Sequence, residues 1–259
     1  MEMLRKKADA QLIRSSSREL IYFPIYAPWT VDTWEDAILP ESLMLTAHEW
    51  MTSGRAQNVD VQHDGIQADA AICESFISIP QDPRFPMPGT WAGAMRLKDP
   101  ALQAGVEMGV INGVSLEIDS DPMREDGLAV TRTRYPTLVA NPVSAKGSTE
   151  QSFSDAIEPH VHPLGLEFDG RTRIMPTLTG ETMGHKHEVF QSTATEMAQG
   201  HTHPIDFFKL DIQYVSKLQL VSWMTKLSVI AISLVEHGAN WMPITQFKRA
   251  EEVLSWPGK

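Results

Sequence analysis

Residues 142–206 hold six of the chain's nine histidines as three two-step pairs: PHVHP (159–163), GHKHE (184–188) and GHTHP (200–204). In extended backbone residues i and i+2 face the same side, so each pair presents two imidazoles toward one point. The second and third pairs repeat at 16 residues, each preceded by glycine, as two arms of a hairpin would. Four imidazoles make a tetrahedral zinc site and six enclose one octahedral ion; an all-nitrogen set admits zinc or iron. The expected ligands are His160, His162, His185, His187, His201 and His203. Their surroundings are rich in Ser, Thr, Gly and Pro and poor in apolar runs. A segment so short of core needs another source of folding free energy, and a bound metal supplies one. No HExxH spacing accompanies the pairs, so the expected metal is structural and not catalytic.

Outside this insertion the chain reads as mainly β with flanking helices (α+β). ELIYFPIYAPW (19–29), ADAAICESFISIP (68–80) and GTWAGAMRL (89–97) read as strands. In VDVQHD, Val59, Val61 and His63 alternate with Asp60, Gln62 and Asp64, which puts His63 on the valine face of a strand. VINGVSLEID (110–119) sets Val114, Leu116 and Ile118 against Ser115 and Glu117. PESLMLTAHEWM (40–51) predicts a helix that buries Leu43, Ala47, Trp50 and Met51 and leaves His48 at its surface. DPALQAGVEMG (99–109) predicts a second, with Asp99 as N-cap and Pro100 in its first turn. YVSKLQLVSWMTKL (214–227) has near-helical apolar spacing through Tyr214, Leu218, Val221 and Met224. SVIAISLV (228–235) predicts a buried strand, and Trp91 and Trp223 are expected in packing. The expected architecture is a β-barrel or sandwich with helical decoration.

The formal charge of −11 excludes a non-specific nucleic-acid binder, which needs clustered Lys and Arg. The one basic cluster (Arg5, Lys6, Lys7, Arg14, Arg18) reads as a solvated leader. Cys73 is alone, which excludes an internal disulfide; it is expected as a small core residue in a reducing compartment. No apolar run is long enough to span a bilayer, so a soluble intracellular protein with no membrane contact is expected.

The order of NVDVQHDG…AAICESFISIP, PGTWAGAMRLKDPALQAGVEMGVINGVSLEID and ISLVEHGAN resembles that of the XkdF-like bacteriophage prohead serine proteases. The resemblance covers about residues 19–120 and 226–243. It implies an assemblin-like β-barrel flanked by helices and a serine endopeptidase that cleaves scaffold and capsid proteins in the immature head. Carried over by residue, it implies Ser115 as nucleophile and His63 as base. Gly113, two residues before Ser115, would let a substrate backbone approach closely. Where relatives carry an acid before the ISLV segment this chain has Ala231, which leaves the third member open among His237, Glu236 and a water-mediated arrangement. The implied partners are capsid and scaffold proteins within a homo-oligomer or larger assembly, in the host cytoplasm inside the prohead or virion. The alternative is a non-catalytic head, neck or tail component on the same fold, and His-x-His pairs loosely resemble those of phage tail and spike modules that hold a structural metal. The expected division is a leader (1–18), a protease-like domain (19–141 and 207–245), the His-rich insertion (142–206) and a C-terminal tail (246–259).

Overall fold

A computed structural model describes residues 20–236, except 33–34, 81, 83–84, 86, 109, 112, 119–129, 153–156, 170–173 and 191–193. The leader, the C-terminal tail and His237 lie outside the described residues. The protein is mainly β, with two α-helices among the described residues.

Three strands form the first sheet: β1 (Leu20–Tyr26), β4 (Ala70–Ile77) and β5 (Trp91–Leu97), with β5 in the centre. A second sheet has β3 (Val59–Val61), β12 (Val229–Val235) and β6 (Gly113–Ile118), in the order β3-β12-β6. Helices α1 (Pro40–Thr52) and α2 (Pro100–Glu107) start where the sequence places them, and Asp99 caps α2 by accepting from the Ala101 amide at 2.8 Å. One core joins these parts, with Phe23, Leu43, Trp50, Trp91, Met95, Ile232 and Leu234 inside it. Met51, expected on the buried face of α1, is instead 38% exposed, and Thr46 takes a buried place.

Two long antiparallel strands, β7 (Val130–Ser148) and β11 (Asp211–Leu227), run from this core to a second one. At one end β2 (Asp36–Ile38) pairs with β11; at the other β8 (Pro163–Glu167) pairs with β7, and two short strands, β9 (Thr177–Leu178) and β10 (Glu188–Val189), pair with each other. The near-helical spacing of 214–227 therefore misreads a strand. Tyr214, Leu218 and Leu220 are exposed on the ribbon, Val221 is buried, and only Met224 and Leu227 join the first core. The apolar period there is not the imprint of one buried face, which is what such a pattern has to be to signal a helix.

The insertion also has more core than its composition suggests. Ala145, Leu164, Leu166, Phe168, Ile174, Val189, Ile205, Phe207 and Leu210 pack together beneath the histidines. Cys73 is exposed and free, against expectation. The register of β4 on β5 slips between Ile72 and Glu74, so Cys73 is the extra residue of a β-bulge and turns away from the core.

Candidate functional site

The six paired histidines meet at one point. The ligand nitrogens of His160, His162, His185, His201 and His203 lie within 4.8 Å of one another, close enough to hold a metal ion. His187 completes the set. Each ring neighbours every other except one, with centroids 4.7–5.1 Å apart and interplanar angles of 67–81°. The excepted pairs are His160 with His187, His162 with His201, and His185 with His203. That is the connectivity of an octahedron, whose vertices fall into three opposite pairs.

The two triangular faces of the octahedron differ. The first histidine of each pair supplies one face: the Nε2 atoms of His160, His185 and His201 form a triangle with every side 3.3 Å. The second histidines supply the other, and the Nε2 atoms of His162, His187 and His203 are buried without a partner. Their tautomers follow from the opposite nitrogen. Nδ1–H of His162 donates to the Gly180 carbonyl at 3.0 Å, that of His187 to Glu196 at 2.9 Å, and that of His203 to Glu150 at 2.9 Å. A carbonyl only accepts, so the proton sits on Nδ1 and the lone pair of Nε2 faces inward. Burial lowers the pKa of all three, to about 4 for His187 and about 3 for His203, and holds them in the neutral form a metal requires.

A cyclic hydrogen-bond pattern builds this arrangement. Thr149, Thr179 and Thr195 each accept from the backbone amide of a second histidine (His162, His187 and His203), at 2.9, 3.0 and 2.9 Å. Each threonine amide returns a bond to the same histidine's carbonyl at 2.9 Å. The residue after each threonine then clamps a different pair: Gly180 N donates to Pro163 O, Glu196 N to Glu188 O and Glu150 N to Pro204 O. Repeat one is thus bracketed by repeat two, two by three, and three by one. The second and third pairs sit after two-residue turns, Met183-Gly184 and Gln199-Gly200, all four with positive φ. Reciprocal bonds join Thr182 to His185 and Ala198 to His201 across these turns, as in type I′ hairpins. Thr202, between two histidines, donates to the Met108 carbonyl just beyond α2 and ties the cluster to the first core.

The second candidate site lies on the sheet β3-β12-β6. Ile232 and Leu234 face the core, and Ser233 faces the other way. Register pairs Ser233 with Ser115 on one side and with Asp60 on the other, so Asp60, Ser233 and Ser115 form a row on one face. His63 is not on the valine face of a strand as expected. β3 ends at Val61, and Gln62 and His63 take φ of 56° and 58°. This left-handed step swings the ring to the opposite face, where Nδ1 and Ser233 Oγ are hydrogen-bonded at 2.9 Å. The imidazole of His63 therefore engages Ser233, and Ser115 stands one strand further along.

Ser115 is half-buried and lines a cavity of about 440 Å³ with Val114, Leu116, Arg132, Arg134 and Asp36. Three consecutive residues of β6 line it, so the cavity runs along the outer edge of that strand and not over one face. Arg132 pairs with Asp36 at 3.2 Å on its far side. Ala231 pairs with Glu117 across the sheet, and Glu236 is exposed one residue beyond β12. The sequence reading missed Ser233, although its place between Ile232 and Leu234 puts it on the Ser115 face once β12 is aligned with β6. No family model, curated protein or solved structure matches this chain.

Proposed function

We propose that the protein is a phage-type assembly factor whose histidine-rich module is closed around one octahedrally coordinated first-row transition ion. The observation that supports the metal most directly is the 3.3 Å triangle of Nε2 atoms from His160, His185 and His201. Inward lone pairs at that separation repel unless a cation lies between them. An octahedron with a 3.3 Å edge has its vertices about 2.3 Å from the centre, against about 2.0–2.1 Å for zinc–imidazole bonds. Six imidazoles at that radius favour an ion that accepts six nitrogens, with iron(II) ahead of four-coordinate zinc. Six protein ligands leave no open position for substrate, so the ion is structural. Elemental analysis of the purified full-length chain tests this: one iron, or another octahedral first-row ion, per chain supports the reading. Metal-free protein that stays folded and takes up no added ion sinks it.

A second reading has its own observation, the hydrogen bond between His63 and Ser233 one strand from Ser115. Consecutive left-handed non-glycine residues cost free energy and persist where the surroundings over-determine them, often at working sites. In this reading the first core carries a serine endopeptidase of the prohead type. Ser115 Oγ attacks the scissile carbonyl carbon and passes its proton to His63 Nε2. The carbon–nitrogen bond breaks as His63 returns that proton to the leaving amine, and water then hydrolyses the acyl-enzyme. Substrates would be extended segments of capsid or scaffold protein laid along the β6 edge. Co-expression with capsid and scaffold proteins, followed by intact-mass analysis, tests it. Truncations that vanish in Ser115→Ala support the endopeptidase; unchanged masses leave a non-catalytic virion component organised by the metal module.

A further inference from the structure

Asp60 stands in register beside Ser233, and Ser233 is hydrogen-bonded to His63, an arrangement that the endopeptidase reading leaves unexplained. Asp60 is 4% exposed, and its two carboxylate oxygens differ. Oδ2 accepts from the Gly65 amide at 3.2 Å and thereby anchors the loop that carries His63. Oδ1 is buried and has no hydrogen-bond partner. An orphaned buried carboxylate oxygen is costly, and a donor is expected to face it. The residue in register beside Asp60 is Ser233, itself fully buried, whose side chain is hydrogen-bonded to His63. A hydroxyl has one proton and two lone pairs. A hydroxyl that turns its one proton to the carboxylate side of the sheet accepts from Nδ1–H of His63, 2.9 Å away.

On the endopeptidase reading, we infer that Ser233, backed by Asp60, is the positioning residue for His63. It takes the place left open by Ala231. The serine fixes the imidazole as the Nδ1–H tautomer and leaves the Nε2 lone pair free for the Ser115 proton. When His63 becomes imidazolium, its charge is stabilised through Ser233 by the buried carboxylate, as a third member does in a triad. Ser233 cannot itself be the nucleophile, because it has no exposed surface, whereas Ser115 opens on the cavity. The loop reinforces the arrangement: Gln62 N donates to Leu234 O at 2.9 Å, one residue past Ser233, so the turn holding His63 is registered on the strand that orients it.

The test uses full-length protein with ¹⁵N-labelled histidine and a fluorophosphonate probe. In the wild type the ring nitrogens of His63 should report the Nδ1–H tautomer, and the probe should phosphonylate Ser115. Ser233→Ala should lose the tautomer preference and slow phosphonylation at least tenfold. Ser233→Thr, which keeps the hydroxyl, should restore both, and Asp60→Asn should fall between. A Ser115 adduct that forms in Ser233→Ala at the wild-type rate, with the His63 tautomer unchanged, overturns the inference alone. No probe adduct on wild-type Ser115, or equal labelling of Ser115→Ala, overturns the endopeptidase reading and the inference with it.

Discussion

Nε2 of His160 stands 3.3 Å from Nε2 of His185, and the opposite ring nitrogen of His160 donates to the Glu158 carbonyl at 2.7 Å. Two lone pairs so close, repeated round a triangle with His201, make a site whose empty form is electrostatically unfavourable. Metal uptake should therefore stabilise the fold. An ion present at a hundred times its dissociation constant adds about 2.7 kcal/mol. Thermal melts with and without a strong chelator should differ accordingly. Cobalt(II) in the site should give the weak visible absorption of six-coordination and not the intense bands of a tetrahedral complex. Intense bands would show that only four of the six imidazoles bind.

The ring of threonines makes a separate prediction. Thr179 is 2% exposed, and its hydroxyl oxygen accepts from the buried His187 amide. Valine has nearly the same shape and no acceptor, so Thr179→Val strands that amide at a cost of about 1–3 kcal/mol. Thr149→Val and Thr195→Val should cost about the same, because each occupies the equivalent place in the cycle. Chemical denaturation of the three variants measures this. A marked inequality would mean that the hydrogen-bond pattern is cyclic in form but not in energy.

The histidine pairs were legible because their period of two is itself the strand period, and a run of such pairs has little else to do than converge. The cycle that holds them was not. Thr179 and Thr195 precede their first histidines by six residues, but Thr149 precedes His160 by eleven, so the repeat is hidden by a longer loop. β1, β5 and β12 carry readable apolar runs because they are buried on both faces, and β4, β6 and both helices carry patterns because each buries mainly one. β11 does not, and its sequence misleads for that reason. His63 was found as a candidate, but its partner lies 170 residues away, and the left-handed step at Gln62 that brings them together leaves no glycine as a signal.

Acid should loosen the histidine module. Burial holds His187 near pKa 4 and His203 near pKa 3, whereas an unfolded chain protonates histidine near 6.5. Between those values the unfolded state binds more protons, so stability falls as pH drops from about 6.5 toward 4 and levels off below the folded values. Bound metal occupies the same lone pairs, so the metal-loaded fold starts more stable and loses that increment as protons displace the ion. Denaturant midpoints measured across this range should fall with acid with and without chelator, and fall further from the higher metal-loaded value. A metal-free protein equally stable at pH 7 and pH 4.5 would contradict the burial of these rings.

Gly93 offers a control confined to the other core. It lies in β5, between Phe23 of β1 and Ser75 of β4, where the sheet leaves no room for a side chain. A Cβ there would sit 2.9 Å from the Glu74 carbonyl oxygen and 3.3 Å from the Ile25 side chain. The first of these neighbours is backbone in a paired strand and cannot rotate away. Gly93→Ala must therefore push two strands apart, and overpacking of this kind costs about 1–3 kcal/mol. The histidine cluster rests on the second core, so the variant should lose that stability while still binding one metal ion per chain. Calorimetry and elemental analysis of the same sample decide it: loss of metal together with stability would mean that the two cores fold as one unit.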